Sequence, residues 1–186
     1  MKVAIFGAGT MGRGIAQVFA AHGHIALMYA SSMASAQRHL GELDASLQKR
    51  VARGKMSQEA KDALMANVSV PEESAAADAD LVIECIAEEM GAKKELLHRL
   101  DELCKPEAIF ASNTSSLSIT EMGHGLTHPL IGMHFFNPVS SMKLIEIIRG
   151  VNTPQEVFDF IYQLAQDIGK EPVEVAESPG FVVNKL

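Results

Sequence analysis

Three stretches hold side chains out of keeping with their surroundings. In "GMHFFNP", His134 closes an apolar run and precedes two aromatics and an Asn-Pro turn. In "KLIEIIRG", Glu146 sits mid-way along another apolar run, where a carboxylate is costly unless paired. The connection between the two runs is short for a helical crossover, so they read as neighbouring, antiparallel strands. That pairing would set Glu146 beside His134. A carboxylate bonded to one imidazole nitrogen fixes the tautomer and favours proton uptake at the other, which makes a general base suited to an alcohol. The third stretch, "ASNTSSLSIT", sets small polar groups at the end of a strand, where open α/β sheets bind ligands. Each has a plainer reading. His134 is one of seven histidines, Glu146 could pair with Lys143 at an exposed edge, and "SNTSS" could be a simple turn.

A fourth stretch raises the weight of the first three. "FGAGTMGRG" places Gly7, Gly9 and Gly12 at the G-x-G-x-x-G positions, after a strand and opening a helix. Gly7 allows a tight turn, Gly9 leaves room for a pyrophosphate, and Gly12 lets the helix approach the sheet. Thr10 and Met11 fall at the helix start, where free N–H groups meet phosphates. The motif alone is weak, but its place at the head of an alternating chain supports dinucleotide binding. A carboxylate for the adenosine ribose is expected about 20 residues further on. Ala30 stands there, and no Asp or Glu lies between Gly14 and Glu42.

The elements that must position these residues alternate almost without pause. Strands are read at "KVAIF", "HIALMYA", "VSV", "ADLVIECI" (taken as fully apolar), "EAIFASN", "LIGMHFF", "KLIEIIRG" and "EPVEVA". Helices are read at "TMGRGIAQVFAAHG" with Gly23 ending it, over 32–54, and at "SQEAKDALMANV" with Ser57 as N-cap. Others are read at "MGAKKELLHRLDELC", "SITEMGHGL" and "TPQEVFDFIYQLAQDIG", the last with Thr153 as N-cap and Pro154 in the first turn. A turn is placed at Pro71. The pattern predicts an α/β, doubly wound, mostly parallel sheet of Rossmann type with an antiparallel extension at one edge.

Bulk properties agree. The 186 residues suffice for one sizeable domain, and 47% hydrophobic with 21% charged residues is ordinary globular composition. A net charge of −7 without a Lys/Arg cluster argues against nucleic acid as partner. Cys85 and Cys104 form no C-x-x-C pair and read as buried thiols in a reducing compartment. No signal-peptide pattern or membrane-length apolar run is seen, so a cytoplasmic protein without membrane partner is expected, and no metal set is read.

Taken together, "GAGTMGRGIA", "ASNTSSLSIT", "GMHFFNPVSSMKLIEII" and "SPGFVVNKL" closely resemble the 3-hydroxyacyl-CoA dehydrogenase family, in particular its bacterial 3-hydroxybutyryl-CoA members. The resemblance runs in order over essentially the whole chain. It implies reversible, NAD-dependent oxidation of (S)-3-hydroxyacyl-CoA, such as 3-hydroxybutyryl-CoA, to a 3-ketoacyl-CoA such as acetoacetyl-CoA, in fatty-acid and butanoate metabolism. By that likeness His134 is the base, Glu146 orients it, Ser115 bonds the substrate oxygen, and Asn184 is the active-site asparagine. Glu88, Lys93 and Asn137 would lie around cofactor and substrate, with Ser46 and Arg53 meeting the CoA.

Two departures from the family pattern follow. Relatives continue into an all-helical second domain that closes the pocket and provides their dimer interface. The expectation is therefore a cofactor domain over 1–180, the start of a truncated helical domain at 181–186, and impaired turnover; a natural stand-alone module is the alternative. The second departure is Ala30, where the family usually has Asp. Loss of a carboxylate–ribose bond, worth roughly 1.5–3 kcal/mol, would weaken NAD about tenfold to a hundredfold. It also removes repulsion against a 2′-phosphate. Ser31 and Ser32, with Arg13 or Arg38, could receive that phosphate, so NADP is a competing cofactor. Beside the dehydrogenase reading stand another 3-hydroxyacid oxidoreductase and a non-catalytic dinucleotide-binding protein.

Overall fold

A computed structural model describes residues 1–177, so "SPGFVVNKL", with Asn184 and the 181–186 boundary, lies outside the described residues. Eight strands form a single sheet in the order β3-β2-β1-β4-β5-β6-β7-β8. Their bounds are β1 Lys2–Phe6, β2 Ile25–Tyr29, β3 Val68–Ser69, β4 Leu81–Glu84, β5 Ile109–Ser112, β6 Leu130–Phe135, β7 Leu144–Arg149 and β8 Glu171–Val175. Neighbouring strands are parallel except β6 and β7, which run antiparallel, and β8 then follows β7 in parallel. This is the Rossmann-type sheet with the extended edge that the sequence predicts. The order reverses between β1 and β4, and the crevice beyond their carboxyl ends is where such sheets bind ligands.

Alternation along β1 explains the two-sided core. Val3 and Ile5 enter a cluster with α1 (Thr10–Ala21), α2 (Met33–Ala52), α3 (Gln58–Ala66) and α6 (Gln155–Asp167). Ala4 and Phe6 enter the opposite cluster with α4 (Met90–Leu103) and α5 (Ile119–Met122). Strands buried on both faces need continuous apolar runs, which is what their sequences supply. Phe19 on α1 is wholly buried, a contribution of roughly 1.5–3 kcal/mol relative to leaving it exposed.

Helix ends follow local chemistry. Ser32, Ser57 and Ser118 accept a backbone N–H three residues on and cap α2, α3 and α5. Gly23, in the left-handed region at φ 81, follows the last turn of α1 and donates to Ala20 O. The start of α6 differs from expectation. Pro154 is the N-cap residue, and Thr153 turns away: its hydroxyl donates to Leu130 O and accepts from Gly150 N–H. A buried carbonyl at the head of β6 claims that hydroxyl ahead of the exposed helix end.

One further reading is extended and one is corrected. The turn at Pro71 leads into a 3₁₀ segment, Glu73–Asp78, whose Ala76 packs in the core. And β4 is not fully apolar: it ends in Glu84, which is entirely buried. Cys104 is buried and Cys85 partly so, both as free thiols.

Candidate active site

The antiparallel pairing of β6 and β7 sets His134 directly opposite Glu146. Directly opposed side chains lie within easy reach of each other, and His134 Nδ1 stands 2.7 Å from Glu146 Oε2. Both residues are buried, with Glu146 only 2% exposed. Nδ1–H therefore donates to the carboxylate, which makes Nε2 the nitrogen for proton exchange. Lys143, the competing partner for Glu146, instead reaches Glu171 at 3.5 Å on the surface.

The cleft holding His134 has a volume of about 400 Å³, and Ser115, Asn137, Glu88, Lys93 and Met11 also line it. Beside it runs a chain of charges in which Glu84 and Lys93 are buried and Glu88 is exposed. Glu84 accepts from Lys93 Nζ at 2.7 Å, from Ile86 N–H at 2.7 Å and from the Ser112 hydroxyl at 2.6 Å. Lys93, 1% exposed, also reaches Glu88 at 3.2 Å. Glu88 in turn accepts from the Thr114 hydroxyl at 2.6 Å, from Ser115 N–H at 2.8 Å and from the Ser115 hydroxyl at 3.1 Å. Burial pushes the Glu88 carboxyl up, but bonds from Thr114 and Ser115 and the Lys93 charge outweigh it, and its pKa ends below the ordinary value. The hydroxyl expected to meet substrate is thus held by a carboxylate that is itself held by Lys93.

Neighbouring contacts fix the loops. Asn113 Oδ1 accepts from Phe135 N–H at 2.9 Å, tying the "SNTSS" loop to β6. Lys170 donates to Val139 O and, at 2.8 Å, to Met142 O, bracing the loop that carries Asn137. Glu177 accepts from the hydroxyls of Ser118 and Thr120 and from Thr120 N–H, tying the end of the described chain to the start of α5.

The glycine loop fits a dinucleotide. Gly7 adopts φ 108, and a Cβ there would collide with the backbone of Cys85 and Ile86 across the crevice. A Cβ on Gly12 would collide with the carbonyl of Gly7, so helix and turn pack closer than any side chain allows. At Gly9 nothing lies within 4 Å of that position, which leaves the approach to the backbone open. No side chain caps α1 there, so the first-turn N–H groups around Thr10, Met11 and Gly12 stay available to phosphate oxygens.

On the adenosine side, a second cleft of about 400 Å³ is lined by Gly7, Tyr29, Ala30, Ser31, Ile86, Leu96, Glu73 and Arg99, among others. Ser32 caps α2 by accepting from Ser35 N–H, which leaves its own O–H as a donor. Arg13 is not in this cleft: its guanidinium binds Glu42, and it lines a third cleft with Ser46, Asn137 and Ser140. The sequence expectation for Arg13 at a 2′-phosphate fails because it projects from the face of α1 turned to α2 and the 138–142 loop. Asn137 lines both the His134 cleft and the Ser46 cleft. Arg53 joins none of these: it is exposed at the far end of α2, where its N–H closes the helix on Lys49 O.

Sequence reasoning missed Glu84, Asn113, Lys170, Glu73 and Arg99. Glu84 carried the same signal as Glu146, a carboxylate in an apolar run. The others show no signal until the fold brings their partners together.

Comparison with known proteins agrees with this geometry. Residues 2–178 match the model of the 3-hydroxyacyl-CoA dehydrogenase NAD-binding domain. A 3-hydroxybutyryl-CoA dehydrogenase of Clostridioides difficile is 45% identical over 189 residues, covering 100% of this chain and 67% of the relative. The crystal structure of 3-hydroxybutyryl-CoA dehydrogenase from Escherichia coli K12 superposes with a TM-score of 0.94 at 39% identity, covering 98% of this chain and 39% of that one. The (S)-3-hydroxybutyryl-CoA dehydrogenase of Ralstonia eutropha gives a TM-score of 0.93 at 36% identity, covering 100% and 66%. The chain thus spans about two thirds or less of these relatives. It belongs to the 3-hydroxyacyl-CoA dehydrogenase family and carries that family's NAD-binding domain.

Proposed function

We propose that this chain binds NAD(H) and carries the proton-transfer residues for interconverting (S)-3-hydroxyacyl-CoA and 3-ketoacyl-CoA, with 3-hydroxybutyryl-CoA and acetoacetyl-CoA as a substrate pair. The observation that carries the reading is His134, paired with buried Glu146, sharing one cleft with Ser115 and Met11 of the glycine-loop helix. The bound nicotinamide supplies hydride chemistry at the substrate carbon. His134 takes the hydroxyl proton at Nε2 in oxidation and returns it in reduction. Glu146 holds the imidazole in the tautomer and orientation that this exchange needs. The Ser115 hydroxyl, held by Glu88, is placed to steady the substrate oxygen. Ser46 and Asn137 line the cleft that would receive the CoA. Asn184, the fourth residue of the family pattern, lies outside the described residues, and dimerisation of this chain is an extension from the resemblance alone.

NADP(H) competes at the adenosine end, favoured by Ala30 and the exposed Ser31. Against it, Glu72 and Glu73 stand with Ala30 around an adjoining hollow. The family default, NAD, remains the cofactor proposed. The test is acetoacetyl-CoA reduction with NADH, followed by loss of nicotinamide absorbance, in the chain and its His134→Gln variant. The expected outcome is a rate loss of about a hundredfold or more with NADH binding retained. Unchanged rates would remove His134 from the mechanism.

A further inference from the structure

The adenosine cleft has an apolar floor and a charged rim. Phe6 and Tyr29 stack at 4.4 Å between ring centres, with Ile86 and Leu96 alongside. Across the rim, Arg99 Nη1 lies 2.5 Å from Glu73 Oε1. Glu73 lines both hollows that contain Ala30, one toward Ser31 and one toward Ser32 and Pro71. A carboxylate offers about four acceptor positions, and the Arg99 bond is the one hydrogen bond the Glu73 side chain makes among the described residues. Its remaining acceptor capacity stands beside the position where the ribose carboxylate is missing.

We infer that the Glu73–Arg99 pair takes over adenosine-ribose recognition from position 30. Glu73 accepts from the ribose hydroxyls, and Arg99 holds the Glu73 side chain over the cleft. The geometry also sets cofactor choice. A 2′-phosphate would meet the carboxylates of Glu72 and Glu73, with Glu95 on the same rim. The Arg99 charge is already matched by Glu73. The site therefore favours NADH over NADPH although no carboxylate follows β2. This rests on the proposed use of a nicotinamide dinucleotide, and it adds which residues read it. Glu73 and Arg99 act on binding and take no part in proton transfer.

The experiment is fluorescence titration of the chain with NADH and NADPH, independent of turnover, for the parent, Glu73→Gln, Arg99→Met, Ala30→Asp and the Glu73→Gln/Ala30→Asp double variant. Both rim side chains are well exposed, so thermal melts of the variants should match the parent. Glu73→Gln is expected to weaken NADH about tenfold, the size of a lost charge-assisted bond, without weakening NADPH. Ala30→Asp should restore NADH binding in the Glu73→Gln background. Arg99→Met should weaken NADH a few-fold and leave NADPH no worse. If NADH binds the parent and Glu73→Gln leaves both affinities unchanged, the inference falls while the function reading stands. If Arg99→Met costs NADPH more than NADH, Arg99 reads a phosphate and the inference is overturned. If neither dinucleotide binds the parent chain, both readings fall.

Discussion

The two ends of the proposed cofactor crevice are built on different principles. At the His134 end, Glu84 and Lys93 are almost wholly buried and Glu146 is opposed by His134 across a strand pair. At the adenosine end, a single ion pair joins Glu73 and Arg99 with side chains 41% and 56% exposed. Buried charges demand complete partnership, because an uncompensated charge in a low-dielectric interior costs several kcal/mol. Exposed pairs contribute about 0–1 kcal/mol to stability and can be exchanged without disturbing the fold. Proton transfer needs the first kind of site. On the proposed reading, recognition of a ribose tolerates the second, with Ala30 in place of a carboxylate after β2.

The sharpest way to break this comparison is to open a buried pair. Lys93→Met should leave Glu84 without its cation and lower unfolding stability by about 3–5 kcal/mol, read by urea denaturation. A loss under about 1 kcal/mol would mean that water or rearrangement compensates, and the contrast between the two ends would dissolve.

Next in size is the strand-paired carboxylate. Glu146→Gln keeps the shape but lets the imidazole choose its tautomer, so the rate of acetoacetyl-CoA reduction should fall by about a hundredfold or more with little change in NADH affinity. Equal losses in rate and cofactor affinity would instead indicate a collapsed cleft.

Acid tests the His134 end by itself. The Glu88 pKa is lowered in the folded chain, so its contribution to stability is full above the ordinary carboxyl value and is lost as pH falls through the folded value. The melting temperature of the parent should therefore approach that of Glu88→Gln as pH drops from about 6 to about 3. Parallel curves for the two proteins would show that the Lys93 and Ser115 contacts do not favour the charged form.

The smallest effect belongs to the ion pair between α1 and α2. Arg13→Gln removes the contact to Glu42, and the melting temperature should stay close to that of the parent. A larger loss would mean that this surface pair carries structure, against the rule drawn from the Glu73–Arg99 rim.

Much of this was legible without coordinates. The glycine spacing is local, and its reason is local too: each glycine answers a close approach or a turn within one β–α unit. The pairing of His134 with Glu146 was readable because a short connection leaves two adjacent strands few registers, and both residues stand against an apolar background. Thr153 was misassigned for the complementary reason. A local cap rule competes with any buried acceptor that the fold supplies, and Leu130 O lies 23 residues away along the chain.

What the sequence alone determined, then, is the alternation of elements, the glycine loop and the strand pairing of His134 with Glu146, since short-range spacing dictates all three. What only the tertiary structure decided is who answers whom across the crevice. Lys93 meets Glu84 because α4 begins over the end of β4. Ser115 is held by Glu88 because β5 ends beside β4. Glu73 reaches Arg99, 26 residues away, because the 3₁₀ segment and α4 pack on one face of the sheet. A charge written in one segment has no assigned partner until strand order and helix packing bring a second segment within a few ångströms. Sequence spacing does not encode that distance.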